Sequence, residues 1–136
     1  MVFILVVLAV LGVAMARFSM RQQLGSASEL AAAKALQSAN AGLEWASFQV
    51  LRNPAPPGAA PPCFATTNIS LTGALAGFVV SISCTQTTGS DAGSTLFFYT
   101  TVATACNTPS SGACPGSAPL QPTYVERQLF RTLVRP

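Results

Sequence analysis

Residues 1–52 read MVFILVVLAVLGVAMARFSMRQQLGSASELAAAKALQSANAGLEWASFQVLR, and this stretch decides the fold. Residues 1–16 contain no charged and no polar side chain. From Arg17 onward the stretch contains alanine, leucine, glutamine, glutamate and lysine, which favour a helix, and no proline occurs before Pro54. The sequence therefore predicts one N-terminal helix over residues 1–52, with an apolar part at 1–16 and an amphipathic part at 17–52.

Apolar residues in the amphipathic part recur at spacings of four and three, which is the period of one helix face. The residues of this stripe are Ala32, Leu36, Ala39, Leu43, Ala46 and Val50. Leu30, Trp45 and Phe48 lie off the stripe, so a second face of the helix is also apolar. The residues expected to pack the helix against the rest of the chain are Leu36, Leu43, Trp45 and Val50.

The apolar part has nearly the length of a membrane span. A helix rises about 1.5 Å per residue, so residues 1–16 cover about 24 Å of a hydrocarbon core about 30 Å thick. The alternative is a cleaved signal peptide, for which Ala14-Met15-Ala16 supplies small residues before a cleavage site. The helical pattern continues beyond Arg17, which favours a retained anchor. The residues expected to contact lipid or neighbouring helices are Leu5, Leu8, Leu11, Gly12 and Met15.

The rest of the chain predicts a linker followed by a small β head. Pro54 ends the helix, and residues 53–62 (NPAPPGAAPP) predict a stiff linker with polyproline character. Residues 63–136 are rich in β-branched and alternating residues, which predicts an antiparallel sheet. The expected elements are a short strand at 68–71, strands at 78–85 and 95–104 with a hairpin loop at 88–94 between them, and a terminal strand at 124–134.

All the cysteines lie in the predicted head, at Cys63, Cys84, Cys106 and Cys114. None forms a Cys-x-x-Cys pair, so disulfides are favoured over a zinc or thioredoxin-type site. Pairing neighbours along the chain, Cys63 with Cys84 and Cys106 with Cys114, is the economical one of the connectivities that four cysteines allow. Disulfides persist in oxidising compartments, which predicts that the head lies in a periplasm or outside the cell.

Charge and residue content argue against several functions. The formal net charge of +3 is spread along the chain, so no basic domain predicts nucleic-acid binding. The sequence has no histidine, which excludes Ser-His-Asp and Cys-His nucleophile systems. It also has no evident carboxylate pair and no glycine-rich phosphate loop. We therefore expect no enzymatic activity, no cofactor, no metal and no small-molecule substrate.

The charged residues of the terminal strand have simple expected roles. Arg127, Arg131 and Arg135 share one side of the strand, where a solvated face is expected and an interaction surface is the alternative. Glu126 is expected to form an ion pair with its neighbour Arg127.

The order of these parts resembles a type IV pilin, and at the residue level the chain resembles the MshP-type minor pilin-like proteins of mannose-sensitive haemagglutinin (MSHA) pili. The stretches that carry the resemblance are residues 3–12 (FILVVLAVLG), 39–46 (ANAGLEWA) and 124–129 (YVERQL). Family members begin with a short basic leader and a Gly-Phe-type prepilin peptidase site, and this sequence has neither. We therefore expect the chain as given to start downstream of the family's start.

The resemblance implies an α+β, type IV pilin-like fold and a structural role in pilus assembly or initiation. The subunit would wait in the bacterial inner membrane with its head in the periplasm, and later join a pilus at the cell surface. Its implied partners are other pilin subunits, contacted through the N-terminal helix, where Ala9, Gly12 and Ala14 permit close approach. The alternatives are a minor pseudopilin of a type II secretion system and, from another class, a secreted disulfide-stabilised binding domain released after Ala16.

Overall fold

The structure is a computed structural model that describes residues 2–117 and 121–136, with the backbone alone at 20–24. Its elements are helix α1 (Val2–Arg52), strand β1 (Thr67–Ser70), a 3-10 turn (Gly73–Leu75), and strands β2 (Val79–Asp91), β3 (Ser94–Cys106) and β4 (Glu126–Arg135). An N-terminal helix is thus followed by an antiparallel sheet, which confirms the α+β class. Met1 and residues 118–120, which the predicted helix and head include, lie outside the described residues.

Helix α1 includes Arg17 and ends at Arg52, two residues before the proline that cannot continue it. The chain divides into two units between Ala31 and Ala32. The first unit contains helix alone. The second contains the rest of α1, the sheet and both disulfides.

The sheet is a meander in which every neighbouring pair of strands is antiparallel, in the order β1-β2-β3-β4. Strands β2 and β3 pair without interruption from Val79↔Cys106 to Asp91↔Ser94. The terminal run forms strand β4 and pairs with β3 from Phe97↔Arg135 to Cys106↔Glu126, which confirms the strand interpretation of this run. The short strand β1 pairs with β2 only from Thr67↔Ile82 to Ser70↔Val79.

The predicted hairpin loop at 88–94 was wrong. Strands β2 and β3 extend through most of it, and the turn is reduced to Ala92 and Gly93, whose φ angles are 46° and 83°. Two residues with positive φ match the right-handed twist of a hairpin, so the flanking serine and threonine residues can continue the ladder. Serine, threonine and glycine are typical of loops, so the composition indicated a loop here. The same residues also occur at the solvent-exposed ends of strands, which is why the prediction was wrong.

The core of the second unit lies between α1 and the inner face of the sheet, which is the face toward the helix. The sheet contributes Val80, Ile82, Ala103 and Ala105, all fully buried. Most buried residues of α1 are small, and they are Ala35, Ser38, Ala39, Gly42, Ala46 and Ser47. Leu43 and Val50 are the larger buried residues of α1. Because small side chains dominate this face, the helix backbone lies close to the sheet.

Candidate functional site

Segment Val2–Ser19 of α1 presents an apolar surface that no other described residue covers. It comprises 18 residues, none of them buried, and by length and composition it is able to cross a membrane or to serve as a signal sequence. The residues expected to contact lipid or helices, Leu5, Leu8, Leu11, Gly12 and Met15, are all exposed. Gly12 has open space around it, because a Cβ built there meets nothing within 4 Å.

The predicted helix-packing residues divide into two groups. Leu43 and Val50 are buried, and Leu43 belongs to the core cluster. Trp45 is half-buried and meets Phe64 edge to face, with ring centroids 5.0 Å apart. Leu36 is 43% exposed, so its assignment to the packed face was wrong. The buried face is centred on Ala35, Ala39 and Gly42, and Leu36 lies beside it rather than on it.

The expectation of a solvated arginine face on β4 was wrong for two of the three residues. Residues two apart in a strand share one face, so Arg131 and Arg135 lie on the same face as Leu129 and Leu133. This is the inner face, toward α1. Arg131 Nη1 donates to Glu44 Oε1 at 2.8 Å and to Ser47 Oγ at 3.0 Å, both on α1. Only Arg127 of the three is exposed.

Arg135 is 4% exposed and binds the C-terminal end of α1. Its Nη1 donates to the Val50 carbonyl at 2.8 Å, and its Nη2 donates to the Gly58 carbonyl at 2.7 Å. The last carbonyls of a helix lack partners within the helix and carry partial negative charge. Arg135 therefore neutralises the helix end and ties it to β4 and to the segment that follows the helix.

Residues 58–64 form a strap that is bound to the head rather than a free linker. The Tyr99 hydroxyl donates to the Pro61 carbonyl at 2.6 Å, and Gln86 Nε2 donates to the same carbonyl at 3.2 Å. Cys63 is bonded to Cys84 of β2. A turn closed by the bond from Gly58 N to the Ala55 carbonyl, at 3.0 Å, replaces the expected extended polyproline conformation. The strap thus contacts α1, β2, β3 and β4 together.

The second disulfide, Cys106–Cys114, closes the loop after β3. With Cys63–Cys84 it gives the pairing of neighbours along the chain that the sequence favoured. Both cysteines of the second bridge are buried, whereas Cys63 and Cys84 are half-buried. The Ser81 hydroxyl accepts a hydrogen bond from Cys114 N at 2.7 Å, so the closed loop also contacts β2.

Tyr124 holds the end of this loop against β4. Its hydroxyl accepts from Gly116 N at 2.8 Å and donates to a carboxylate oxygen of Glu126. Burial raises the pKa of the Tyr124 phenol, and the hydrogen bond to Glu126 raises it further. The expected Glu126–Arg127 ion pair was wrong, because the Glu126 carboxylate takes Tyr124 as its partner and Arg127 donates to the Glu126 backbone carbonyl.

The described residues offer no arrangement that holds a metal ion, since no three of their cysteine, aspartate and glutamate side chains cluster together. All four cysteines are in disulfides and provide no free thiol. Within the described part of the chain, every buried side-chain nitrogen and oxygen has a hydrogen-bond partner. The polar groups of the head thus satisfy one another, and the large unsatisfied surface is the apolar segment Val2–Ser19.

Sequence reasoning missed the inward arginines and the strap contacts. The spacing of two between Leu129, Arg131, Leu133 and Arg135 was a signal for the inward arginines, because residues two apart in a strand share one face and the leucines belong to the inner one. No signal indicated that Tyr99 and Gln86 would bind the Pro61 carbonyl, since these residues are distant along the chain.

No protein-family model matches the chain, and neither the curated proteins nor the solved structures give a match.

Proposed function

We propose that this chain is a minor pilin-like structural subunit that takes part in the assembly or initiation of an MSHA-type type IV pilus. The observation that carries the proposal is the apolar segment Val2–Ser19, which no described residue covers and which belongs to the same helix as the packed part of α1. In this role the chain works through helix contacts, without catalysis, a cofactor or a nucleic-acid partner.

The exposed segment supports the proposal because its apolar surface suits two environments, a lipid bilayer and a bundle of protein helices. Apolar surface is driven out of water by about 25 cal/mol per Å², so a helix of this kind is covered by lipid or by other protein. Before assembly the inner membrane covers it, because 18 residues at about 1.5 Å each span about 27 Å. After assembly the helices of other pilin subunits replace the lipid.

The head supports the proposal through its compartment. Two disulfides in the second unit require an oxidising environment to form and persist. A periplasmic head on an inner-membrane helix, later carried to the pilus surface, meets this requirement. A minor pseudopilin of a type II secretion system would share the same layout. A deletion strain separates the two roles: loss of surface pili indicates the pilus role, and retention inside the cell of proteins that are normally secreted indicates the pseudopilin role.

The second candidate is a secreted binding domain, and Ala14-Met15-Ala16 favours it as a cleavage site. Mass spectrometry of the mature chain, purified from its own cells, distinguishes the two functions. The pilin-like role predicts that the apolar segment is retained and that the chain stays in the membrane pellet after alkaline carbonate extraction. A mature chain that begins at Arg17 and appears in the soluble fraction would overturn it.

A matched variant pair sharpens the extraction experiment. Replacing Leu8 and Leu11 with lysine places charges in the apolar segment at about 2.5–3.5 kcal/mol each, so this variant should be released from the pellet. Replacing the same residues with isoleucine keeps the segment apolar and should leave the chain in the membrane. Equal retention of both variants would contradict an anchoring role for the segment.

A further inference from the structure

The outer edge of strand β4 is open. β4 is the last strand in the sheet order and pairs with β3 on one side only. Among residues 2–117 and 121–136, no strand lies on its other side. The ladder with β3 runs over all ten residues of β4 without a bulge, and the strand contains no proline. Natural sheets protect such edges with prolines, bulges, short strands or charged side chains. β4 contains no proline or bulge and is not short, and two of its charged side chains, Arg131 and Arg135, turn inward and bind α1.

The backbone groups that point to the open edge follow from the ladder. Asn107 N donates to the Val125 carbonyl at 3.3 Å, so these residues form a hydrogen-bonded pair next to the ladder. Antiparallel pairs alternate between bonded and non-bonded, so the odd-numbered residues of β4 bond to β3. The Thr101 hydroxyl also donates to the Arg131 carbonyl, which agrees with this direction. The residues whose N–H and C=O point outward are therefore Glu126, Gln128, Phe130, Thr132 and Val134.

An apolar ridge lies beside the open edge, on the outer face of the sheet. Phe130 is 76% exposed and Val134 is 49% exposed. Their partners across the ladder are Val102 and Phe98, which are half-buried. A strand added next to β4 would place every second side chain beside this ridge, and apolar or β-branched side chains fit there.

Arg127 supplies the charge of the edge. It is exposed, and its hydrogen bond is to a backbone carbonyl, that of Glu126. Among the described residues Arg131 forms a salt bridge, with Glu44, and Arg127 forms none. An acidic side chain on an added strand, opposite Arg127, would complete an ion pair.

We propose that the open edge of β4 binds an extended segment of another protein, which adds to the sheet as an antiparallel strand. The outward backbone groups of β4 are spaced to pair with a chain in the extended conformation. The ridge of Phe130 and Val134 selects apolar or β-branched residues at alternate positions. Arg127 selects an acidic residue near the C-terminal end of the segment.

A second copy of β4 does not fit this surface. Paired residues of adjacent strands lie on the same face, so Arg127 would meet an odd-numbered residue of the second copy. Those residues are Arg127, Leu129, Arg131, Leu133 and Arg135, and none of them is acidic. Self-pairing therefore leaves Arg127 without an acid in every register, and in some registers it places arginines opposite each other.

The test uses the full chain in lipid nanodiscs and a fluorescent synthetic peptide that alternates valine with threonine and carries one glutamate near its C-terminus. Anisotropy should report binding to the wild-type chain, and hydrogen exchange should report new protection in β4. The variant Thr132→Pro removes one outward N–H without touching the ladder to β3, so it should bind at least about ten-fold more weakly. The matched control Thr132→Val keeps that N–H and should bind like the wild type.

Two further arms keep the test decisive if the proline variant fails to fold. Phe130→Lys removes the apolar ridge at an exposed position and should weaken binding, and a peptide with glutamine in place of glutamate should lose only the contribution of Arg127. Failure of the wild-type chain to bind the peptide, or protection confined to other elements, would overturn the proposal. If the chain self-associates and the proline variant abolishes this self-association, a second copy occupies the edge and the proposal is overturned. Every outcome is independent of whether the helix works in a pilus.

Discussion

Arg135 illustrates how one residue joins separate parts of the head. Its guanidinium connects β4 to the last turn of α1 through the Val50 carbonyl and to the strap through the Gly58 carbonyl. The group is almost fully buried, and the described residues give it no carboxylate partner. Its charge is balanced by the partial negative charge at the helix end, which a planar guanidinium can bind with two of its donors at once.

Replacing Arg135 with methionine should lower the free energy of unfolding by about 2–3 kcal/mol, because the buried Val50 carbonyl and the part-buried Gly58 carbonyl lose a charged donor. Urea unfolding followed by circular dichroism measures this change. The control is Arg127→Met on the same strand, where the side chain is exposed and the change should stay within about 0.5 kcal/mol. Equal effects of the two substitutions would contradict the capping role of Arg135.

At the scale of elements, the contact between α1 and the sheet depends on small residues of the helix. A Cβ at Gly42 would lie 2.7 Å from Val80 Cγ1 and 3.2 Å from the Cβ of Ala103. Val80 is fully buried and β-branched, so its side chain has little freedom to move away. The glycine thus sets how closely the helix approaches β2 and β3.

Gly42→Ala should destabilise the head by about 1–3 kcal/mol through overpacking, even though alanine is the better helix former. The matched substitution is Gly25→Ala in the same helix, where an added Cβ meets nothing within 4 Å and stability should stay equal or rise. Thermal unfolding of both variants compares them directly. A midpoint for Gly42→Ala at or above the wild-type value would disprove the close approach.

The two disulfides should differ in their contributions because they close loops of different length. The sequence separations are 21 residues for Cys63–Cys84 and 8 for Cys106–Cys114. Loop entropy then gives about 3 kcal/mol for the first bridge and about 2.5 kcal/mol for the second. Replacing Cys63 and Cys84 with serine should therefore cost slightly more stability than replacing Cys106 and Cys114, as measured by urea unfolding. A clearly smaller loss for the first pair would show that the contacts to Pro61 and Gly58 hold the strap without the bridge.

At the scale of the whole molecule, the two units differ in what covers them. The second unit buries its own core and satisfies its buried polar groups, whereas segment Val2–Ser19 of the first unit has no buried residue. The second unit is therefore expected to fold from its own contacts. The apolar segment is expected to depend on lipid or on neighbouring helices.

The proposed pilin-like role predicts that Gly12→Leu weakens association with partner subunits without unfolding the second unit. The site is open within the chain, so leucine meets no clash there, but its larger side chain keeps a neighbouring helix at a distance. Co-purification should recover about five-fold less partner, which corresponds to about 1 kcal/mol. Gly12→Ala is the control and should retain most of the partner. Unchanged recovery with leucine would count against helix packing at Gly12.

Local patterns of the sequence sufficed for the helix and the order of the strands, but not for the hairpin turn or for the contacts between elements. The helix bounds followed from helix formers and from Pro54, and the terminal strand followed from its β-branched and aromatic residues. Leu36 was misplaced because a periodic stripe gives the direction of a face only approximately, and the small residues beside it allow the closest approach. The hairpin loop was overestimated because composition cannot distinguish a hydroxyl-rich strand end from a turn.

The sequence by itself determined the exposed apolar segment, the continuous helix pattern, the order of the strands along the chain and the oxidised state of the cysteines. These depend on side chains close in sequence, or on counts. The tertiary structure alone decided the roles of Arg131, Arg135 and the strap, the close contact at Gly42 and the open edge of β4. Each of these joins residues distant along the chain, so it is fixed only when the helix and the strands pack together and a buried donor must find its acceptor.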